Sequence, residues 1–250
     1  MFAKLSAAEY CGLYHSLMGW PCQDRAGGCA GEHFGCAVLC DGAGSRPQSE
    51  RAAQQLVDWL PGWLEPRFEA LWADHDPAPK ILHAARAALE PLGLPPEDCW
   101  CTLLFFAQRP DGRWLCGHIG DGYIFRVEQG KSRVLSGPEN GRFANETYFV
   151  TGPLAEQHLR VQKGAFHRPG AVLLASDGSG AGLYDLADRR PAPAVATLAG
   201  WLEKHPSEQV TPALARALRE NLATRSEDDL SLALLWTSPA PLWRSLWGGR

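Results

Sequence analysis

The sequence predicts an α+β protein in which a mostly antiparallel sheet system carries helices on its outside. Three observations predict it. Short, nearly continuous apolar runs of strand length end in polar or Asp-Gly steps. Several such runs follow one another through the middle of the chain with tight turns between them. The segments with helical spacing stand before and after that block instead of alternating with every strand, which argues against a βαβ repeat. With 250 residues, 45% of them hydrophobic, the chain is long enough to bury a full core.

In chain order, residues 34–40 form a short apolar run that suits a buried strand ending at Asp41. A helix follows, with Ser49 as its expected cap and Ala52, Ala53, Leu56, Trp59, Leu60, Trp63 and Leu64 at helical spacing. Pro61 is expected to kink or divide it. A second helix is expected over residues 80–89. Strands are expected at 99–108, 113–118, 123–128 and 131–135, with Asp111-Gly112 and Gln129-Gly130 as hairpin turns. Further strands are expected at 147–151, 158–163 and 171–175, then helices at 192–205 and 212–224, and a last strand at 230–237. These elements form one domain over residues 1–237. Residues 238–250 form a tail, in which Trp243 and Trp247 are expected to pack back onto the domain.

Composition removes several function classes. A net charge of −4 without a basic cluster gives no footprint for nucleic acid. No stretch approaches the roughly 18 apolar residues of a membrane span, and Met1 to Ser6 lacks the apolar core of a signal peptide. The expected location is the cytoplasm and the expected state a monomer. The eight cysteines are irregularly spaced and include no CxxC pair, so reduced and mostly buried thiols are favoured over disulfides or structural zinc. No phosphate-binding GxxxxGK[ST] loop and no GxSxG elbow occurs.

What remains is a series of acidic steps. Asp41, Asp121 and Asp177 each directly follow an apolar run, and Asp228 stands at the head of the last strand. Asp-Gly is a common turn dipeptide, and Asp111-Gly112, set among polar residues, needs no other role. Three carboxylates brought to the edge of a core, by contrast, would be desolvated together unless something positive paired with them. Hard oxygen ligands of that kind suit Mg²⁺ or Mn²⁺, so the pattern reads as a metal-dependent hydrolase. Cys40 and Arg46 also match the C-x5-R spacing of cysteine-dependent phosphatases, but Asp41 beside the thiol opposes a thiolate and disfavours that route. His118 on its strand faces away from Asp121 and is expected to be a packed residue.

The ordered set Gln23-Asp24, Asp41-Gly42-Ala43-Gly44-Ser45, Gly120-Asp121-Gly122, Ser176-Asp177-Gly178 and Asp228-Asp229-Leu230-Ser231 resembles the metal-dependent serine/threonine phosphatases of the protein phosphatase 2C family. That family's motifs run NED, DGxGG, GDSR, SDGL and DN[IL][ST]. The segments 15–24 and 144–149 are similar to a divergent bacterial branch of it. The resemblance implies a four-layer αββα sandwich, two antiparallel sheets packed face to face and flanked by helices. It implies two divalent ions, Mn²⁺ or Mg²⁺, with Asp41 bridging them, the Gly42 carbonyl on one, and Asp177 and Asp228 completing the other. Asp121 would serve a third, weaker position, and Asp24 would orient metal-bound water from behind. The reaction implied is phosphomonoester hydrolysis by a metal-bridging water, with a phosphoprotein as substrate and a cognate serine/threonine kinase as counterpart.

The departures from the pattern matter as much. The family's phosphate-clamping arginine falls at Gly19, leaving His15, Arg25 and Arg46 as candidates for phosphate binding. The histidine that follows DG in the family is Ala43 here, so protonation of the leaving group falls to water or to His15. Gln23 stands where the family has Glu. These losses favour an alternative, a phosphatase-fold binding or regulatory module with little turnover. The retained Asp41, Asp121, Asp177 and Asp228 oppose it.

Overall fold

The computed structural model describes residues 2–139 and 147–240. The chain opens with strand β1 (Ala3–Tyr10), the short helix α1 (Leu13–Met18), β2 (Asp24–Ala30) and β3 (Gly35–Asp41). Helices α2 (Ser49–Leu64), α3 (Phe68–Ala73) and α4 (Ala78–Leu89) follow. Next come β4 (Leu103–Gln108), β5 (Arg113–Ile119), β6 (Tyr123–Glu128) and β7 (Lys131–Ser136). Helix α5 (Ala155–His158), β8 (Arg160–Ala165), β9 (Gly170–Ala175) and α6 (Asp177–Leu183) lead to a two-stranded ribbon of β10 (Tyr184–Asp185) and β11 (Arg190–Pro191). Helices α7 (Pro193–Lys204) and α8 (Ser207–Ala217) precede β12 (Leu230–Thr237).

The strands form two five-stranded antiparallel sheets, ordered β1-β12-β9-β6-β7 and β2-β3-β4-β5-β8. Alternation along β3 shows why its sequence is apolar throughout. Ala37 and Leu39 point into the layer between the sheets, with Leu104, Phe106, Leu174 and Leu235. Cys36, Val38 and Cys40 point the other way, onto Leu56 and Leu60 of α2 and Ile81 of α4. The second sheet does the same, with β12 sending Ala233 and Leu235 inward and Leu232 and Leu234 onto α7 and α8. A strand covered on both faces needs no polar side, and the result is the αββα sandwich that the resemblance implies.

The differences from expectation have local causes. Helix α2 runs through Pro61, which lies in its last turn and forfeits one backbone bond, while the buried face from Ala52 to Leu64 stays continuous. Ser49 does not cap it; its hydroxyl donates to the carbonyls of Ala43 and Arg46 and ties the preceding loop. The strand expected from residue 99 starts at Leu103, because Pro95 and Pro96 lead into a 3₁₀ turn ending at Cys99. Residues 147–151 make a bridge and a turn instead of a strand. The last helix begins at Ser207, not at Pro212, because Val210, Leu214 and Ala217 carry one buried face past the proline. Eight elements were not anticipated: β1, α1, β2, α3, α5, α6 and the ribbon strands β10 and β11. Trp243 and Trp247 lie outside the described residues.

Candidate metal and catalytic site

Five segments deliver acidic side chains to one end of the sandwich. Asp24 opens β2 and pairs across the sheet with Asp41, the last residue of β3. Asp121 lies in the link by which the chain leaves β5 in one sheet and enters β6 in the other. Gly120 there has φ +120°, and a Cβ on it would meet the Thr102 side chain at 2.5 Å, so only glycine allows this crossing. Asp177 begins α6 directly after β9, and Asp228 stands two residues before β12.

One carboxylate oxygen from each of Asp41, Asp121 and Asp177 lies within 4.8 Å of the others. Asp228 is outside that triplet, its Oδ1 accepting the Asp229 N–H at 2.9 Å. These four residues and Gly42 all line one cavity of about 770 Å³, whose lining also includes Trp100, Phe149 and Leu154. A second cavity of about 500 Å³ adjoins it across Gly152 and Pro153, with Arg86 and Glu156 at its edge and no acidic cluster.

The electrostatics fit a cation. Among the described residues, no lysine or arginine forms an ion pair with Asp41, Asp121, Asp177 or Asp228. Asp121 Oδ1 and Asp24 Oδ2 are buried acceptors without a donor among the described residues. Burial, with Asp24, Asp177 and Asp121 beside it, holds the Asp41 carboxyl well above the ordinary range. Burial and then Asp121 push Asp177 up to about 6. Asp121 is raised by burial, against the Thr147 hydroxyl that donates to it. Asp24, beneath Asp41 and beside the Ser231 and Ser176 hydroxyls, is pushed up to about 8, chiefly by burial. A divalent ion coordinated by these oxygens would supply the missing positive charge and keep them ionised.

The other sequence candidates fall around this cluster, not in it. His15 is buried, with Nδ1 2.8 Å from Asp229 Oδ2. Arg25 donates to the carbonyls of Cys22 and Asp24 at 2.6 and 2.7 Å, strapping the start of β2. Arg46 lays its guanidinium 4.3 Å over the Trp100 ring at the cavity wall. Cys40 is fully buried, and burial together with Cys101 and Asp41 drives its thiol well above the ordinary range, so nothing there makes a thiolate. All eight cysteines are free. His118 is packed, with Nδ1 2.8 Å from the Ser136 hydroxyl, and burial lowers it to about 3.

Sequence reasoning missed Asp229. Its buried carboxylate accepts the N–H groups of Gly12 at 2.7 Å and Gln23 at 2.5 Å as well as His15 Nδ1. Gln23 passes the connection on, its carbonyl accepting the Gly42 N–H and its Nε2 donating to the Arg46 carbonyl. The signal was present in the doublet Asp228-Asp229, where the resembled pattern has Asn second.

The sequence matches the family described as protein phosphatase 2C over residues 11–223. No curated protein matches it. Among solved structures, the chain is similar to PppA, a key regulatory component of T6SS in Pseudomonas aeruginosa, at 17% identity and TM-score 0.63, covering 95% of this chain and 98% of that one. It is similar to the catalytic domain of the serine/threonine protein phosphatase PstP in complex with two manganese ions, at 17% identity and TM-score 0.61, covering 96% and 99%. RsbX in complex with magnesium aligns at 14% identity and TM-score 0.59, covering 95% and 96%. Identities this low establish a shared fold.

Proposed function

We propose that this chain, which belongs to the protein phosphatase 2C family, uses Mn²⁺ or Mg²⁺ held at its acidic cluster to hydrolyse phosphoserine and phosphothreonine in protein substrates. That it is a protein serine/threonine phosphatase follows from the family. Two of the structural relatives carry manganese or magnesium. The observation that carries the reading is the convergence of Asp41, Asp121 and Asp177 within 4.8 Å without a cationic partner among the described residues.

In this reading Asp41, the Gly42 carbonyl, Asp177 and Asp228 would hold two ions, and Asp121 would hold a third, weaker one. Bound divalent cations would neutralise phosphate charge and lower the pKa of the attacking water. Asp24, fixed beneath Asp41 by the β2–β3 pairing, keeps that carboxylate oriented and orients the attacking water. Arg46, stacked on Trp100 of the cavity lining, is the candidate cation for phosphate, with Arg25 committed to backbone carbonyls. Trp100, Phe149 and Leu154 offer an apolar wall to the substrate chain around the phosphoresidue. A phosphoprotein and the kinase that phosphorylates it are the expected partners.

The test is hydrolysis of p-nitrophenyl phosphate with Mn²⁺, with EDTA, and after thiol alkylation, for wild type and Asp177→Asn. Turnover that needs Mn²⁺, survives alkylation and disappears in the variant is expected. Metal-independent turnover, or turnover lost on alkylation alone, would overturn the reading.

A further inference from the structure

We propose that the outward face of α1 is a docking surface for the phosphoprotein substrate, and that it takes apolar side chains of that protein lying a few residues from the phosphoserine or phosphothreonine. This rests on the phosphatase reading above and adds to it what the enzyme recognises beyond the phosphate.

The helix is inside out. Leu13, Tyr14, Leu17 and Met18 recur at i, i+1, i+4 and i+5, so at about 100° per residue they share one stripe roughly 140° wide. Such a stripe normally turns to the core. Here all four side chains are between 52% and 77% exposed, and the buried residue of α1 is His15, off the stripe. Trp20, 43% exposed, follows the helix and sets its ring edge-on to Tyr14 with centroids 5.9 Å apart. Among the described residues seven large apolar side chains are exposed; these are five of them, and a sixth, Leu154, lines the acidic cavity. Apolar exposure concentrated in one place marks a surface that another molecule covers.

The anchoring of α1 points to which molecule. Polar bonds fix the helix to the segment that carries Asp228. The Asp229 carboxylate holds the Gly12 N–H at 2.7 Å and His15 Nδ1 at 2.8 Å, and the Glu227 carbonyl takes the Tyr14 N–H at 3.4 Å. A Cβ on Gly12 would meet the Asp228 backbone at 2.3 Å, so the chain enters α1 in direct contact with a residue of the cavity lining. On another side, His15 Nε2 lies 3.8 Å from the Cβ position of Gly44, which also lines the cavity. Helix α1 is therefore the next surface outward from both Asp228 and the loop at Gly44. A phosphoresidue seated at the acidic cluster brings its own chain across this rim, and in a protein serine/threonine phosphatase that chain is polypeptide.

The chemistry of the face suits such an occupant. Tyrosine and tryptophan are the residue types that most often carry the energy of protein interfaces. No lysine or arginine stands between Cys11 and Cys22, so the face has nothing with which to hold an anionic lipid surface. A helix with its side chains is about 10 Å across and an extended chain covers about 3.3 Å per residue, so the substrate's apolar residues should begin about four positions from the phosphoresidue.

The test is kcat/KM, with Mn²⁺ present, on two phosphoserine peptides and on p-nitrophenyl phosphate. One peptide carries leucine and phenylalanine from about four positions outward on both sides of the phosphoserine, and the other carries serine in their places. Wild type is expected to favour the apolar peptide by about 10-fold, mainly through KM, and the double variant Leu17→Gln, Met18→Gln should erase that preference. Glutamine is a good helix former and both positions are exposed, so the fold should stand. Turnover of p-nitrophenyl phosphate, which is too small to reach α1, should be unchanged in the variant. A preference that is absent from wild type, or that survives in the double variant, would overturn the inference alone. So would a wild-type dimer, seen by light scattering, that the double variant abolishes while the peptide preference stays, because the face would then belong to a second copy of the chain. A wild type that hydrolyses none of the three compounds would overturn the proposed function together with it.

Discussion

Two Asp-Gly turns flank the same strand and behave in opposite ways. At one end of β5, Asp111 is exposed, and its carboxylate takes the Arg113 backbone N–H at 2.9 Å and the Arg113 Nε at 2.6 Å. At the other end, Asp121 sits where the chain crosses between sheets, with one oxygen on the Thr147 hydroxyl and the other buried without a donor among the described residues. The dipeptide is the same, but its position relative to other strand ends differs. A turn within one sheet can satisfy its own acid, whereas a crossing at the end of the sandwich gathers acids that only an added cation satisfies.

The sharpest way to break this comparison is at the centre of the acidic end. Asp41→Asn is expected to lower Mn²⁺-dependent kcat by about 1,000-fold, the equivalent of roughly 4 kcal/mol of transition-state stabilisation. Steady-state hydrolysis of p-nitrophenyl phosphate measures it. Activity within a few-fold of wild type would remove Asp41 from the machinery.

Next in size is the pH response of the metal-free protein. Asp24 and Asp177 have folded-state pKa values of about 8 and about 6, above the ordinary carboxyl value near 4, and Asp41 and Asp121 are raised too. A raised carboxyl binds its proton more tightly when folded, so its stabilising contribution is complete below about pH 4 and is lost as pH climbs through the folded value. These groups should therefore lower the melting temperature in EDTA as pH rises from about 4 to about 8. Added Mn²⁺ should reverse that slope, because it binds the ionised form. Parallel slopes with and without metal would contradict the account.

Smaller still is Asp121→Asn, which deletes a repelled carboxylate from the edge of the cluster. The metal-free protein should melt higher by the equivalent of about 1 kcal/mol, and activity should fall by about 10-fold, less than for Asp41→Asn. Differential scanning fluorimetry in EDTA and the same kinetic assay read both. Asp111→Asn is the control and should change stability by no more than about 0.5 kcal/mol and leave activity unaltered, since its bonds are exposed and local.

The parts of the fold that were legible in the sequence are those whose apolar pattern has a single explanation. Strand β3 and the middle hairpins are runs covered on both faces, and their turns carry Gly in left-handed conformations, as at Gly112 and Gly130. What could not be read was held by other means. β2, with Gly27, Gly28 and Ala26, offers little side chain to mark a strand, and its Gly28 is required because a Cβ would meet the Cys36 carbonyl at 2.0 Å. Helix α1 escaped because polar bonds hold it and its apolar residues face water. The acidic site was legible in outline, because Asp41, Asp121 and Asp177 follow buried runs. Asp229 was not, because one residue of the doublet faces the cavity and the other turns inward to His15, a difference that periodicity at a strand entrance cannot encode.

The most direct test of the central claim is isothermal titration of Mn²⁺ into metal-free protein near pH 7, with proton release measured alongside. The account expects saturable binding by the wild type, uptake of at least two ions, release of protons from carboxyls held above their ordinary pKa, and loss of the tight site in Asp41→Asn. Binding that is weak and proton-neutral, or that survives in Asp41→Asn, would show that the four strand ends meet without forming a metal centre.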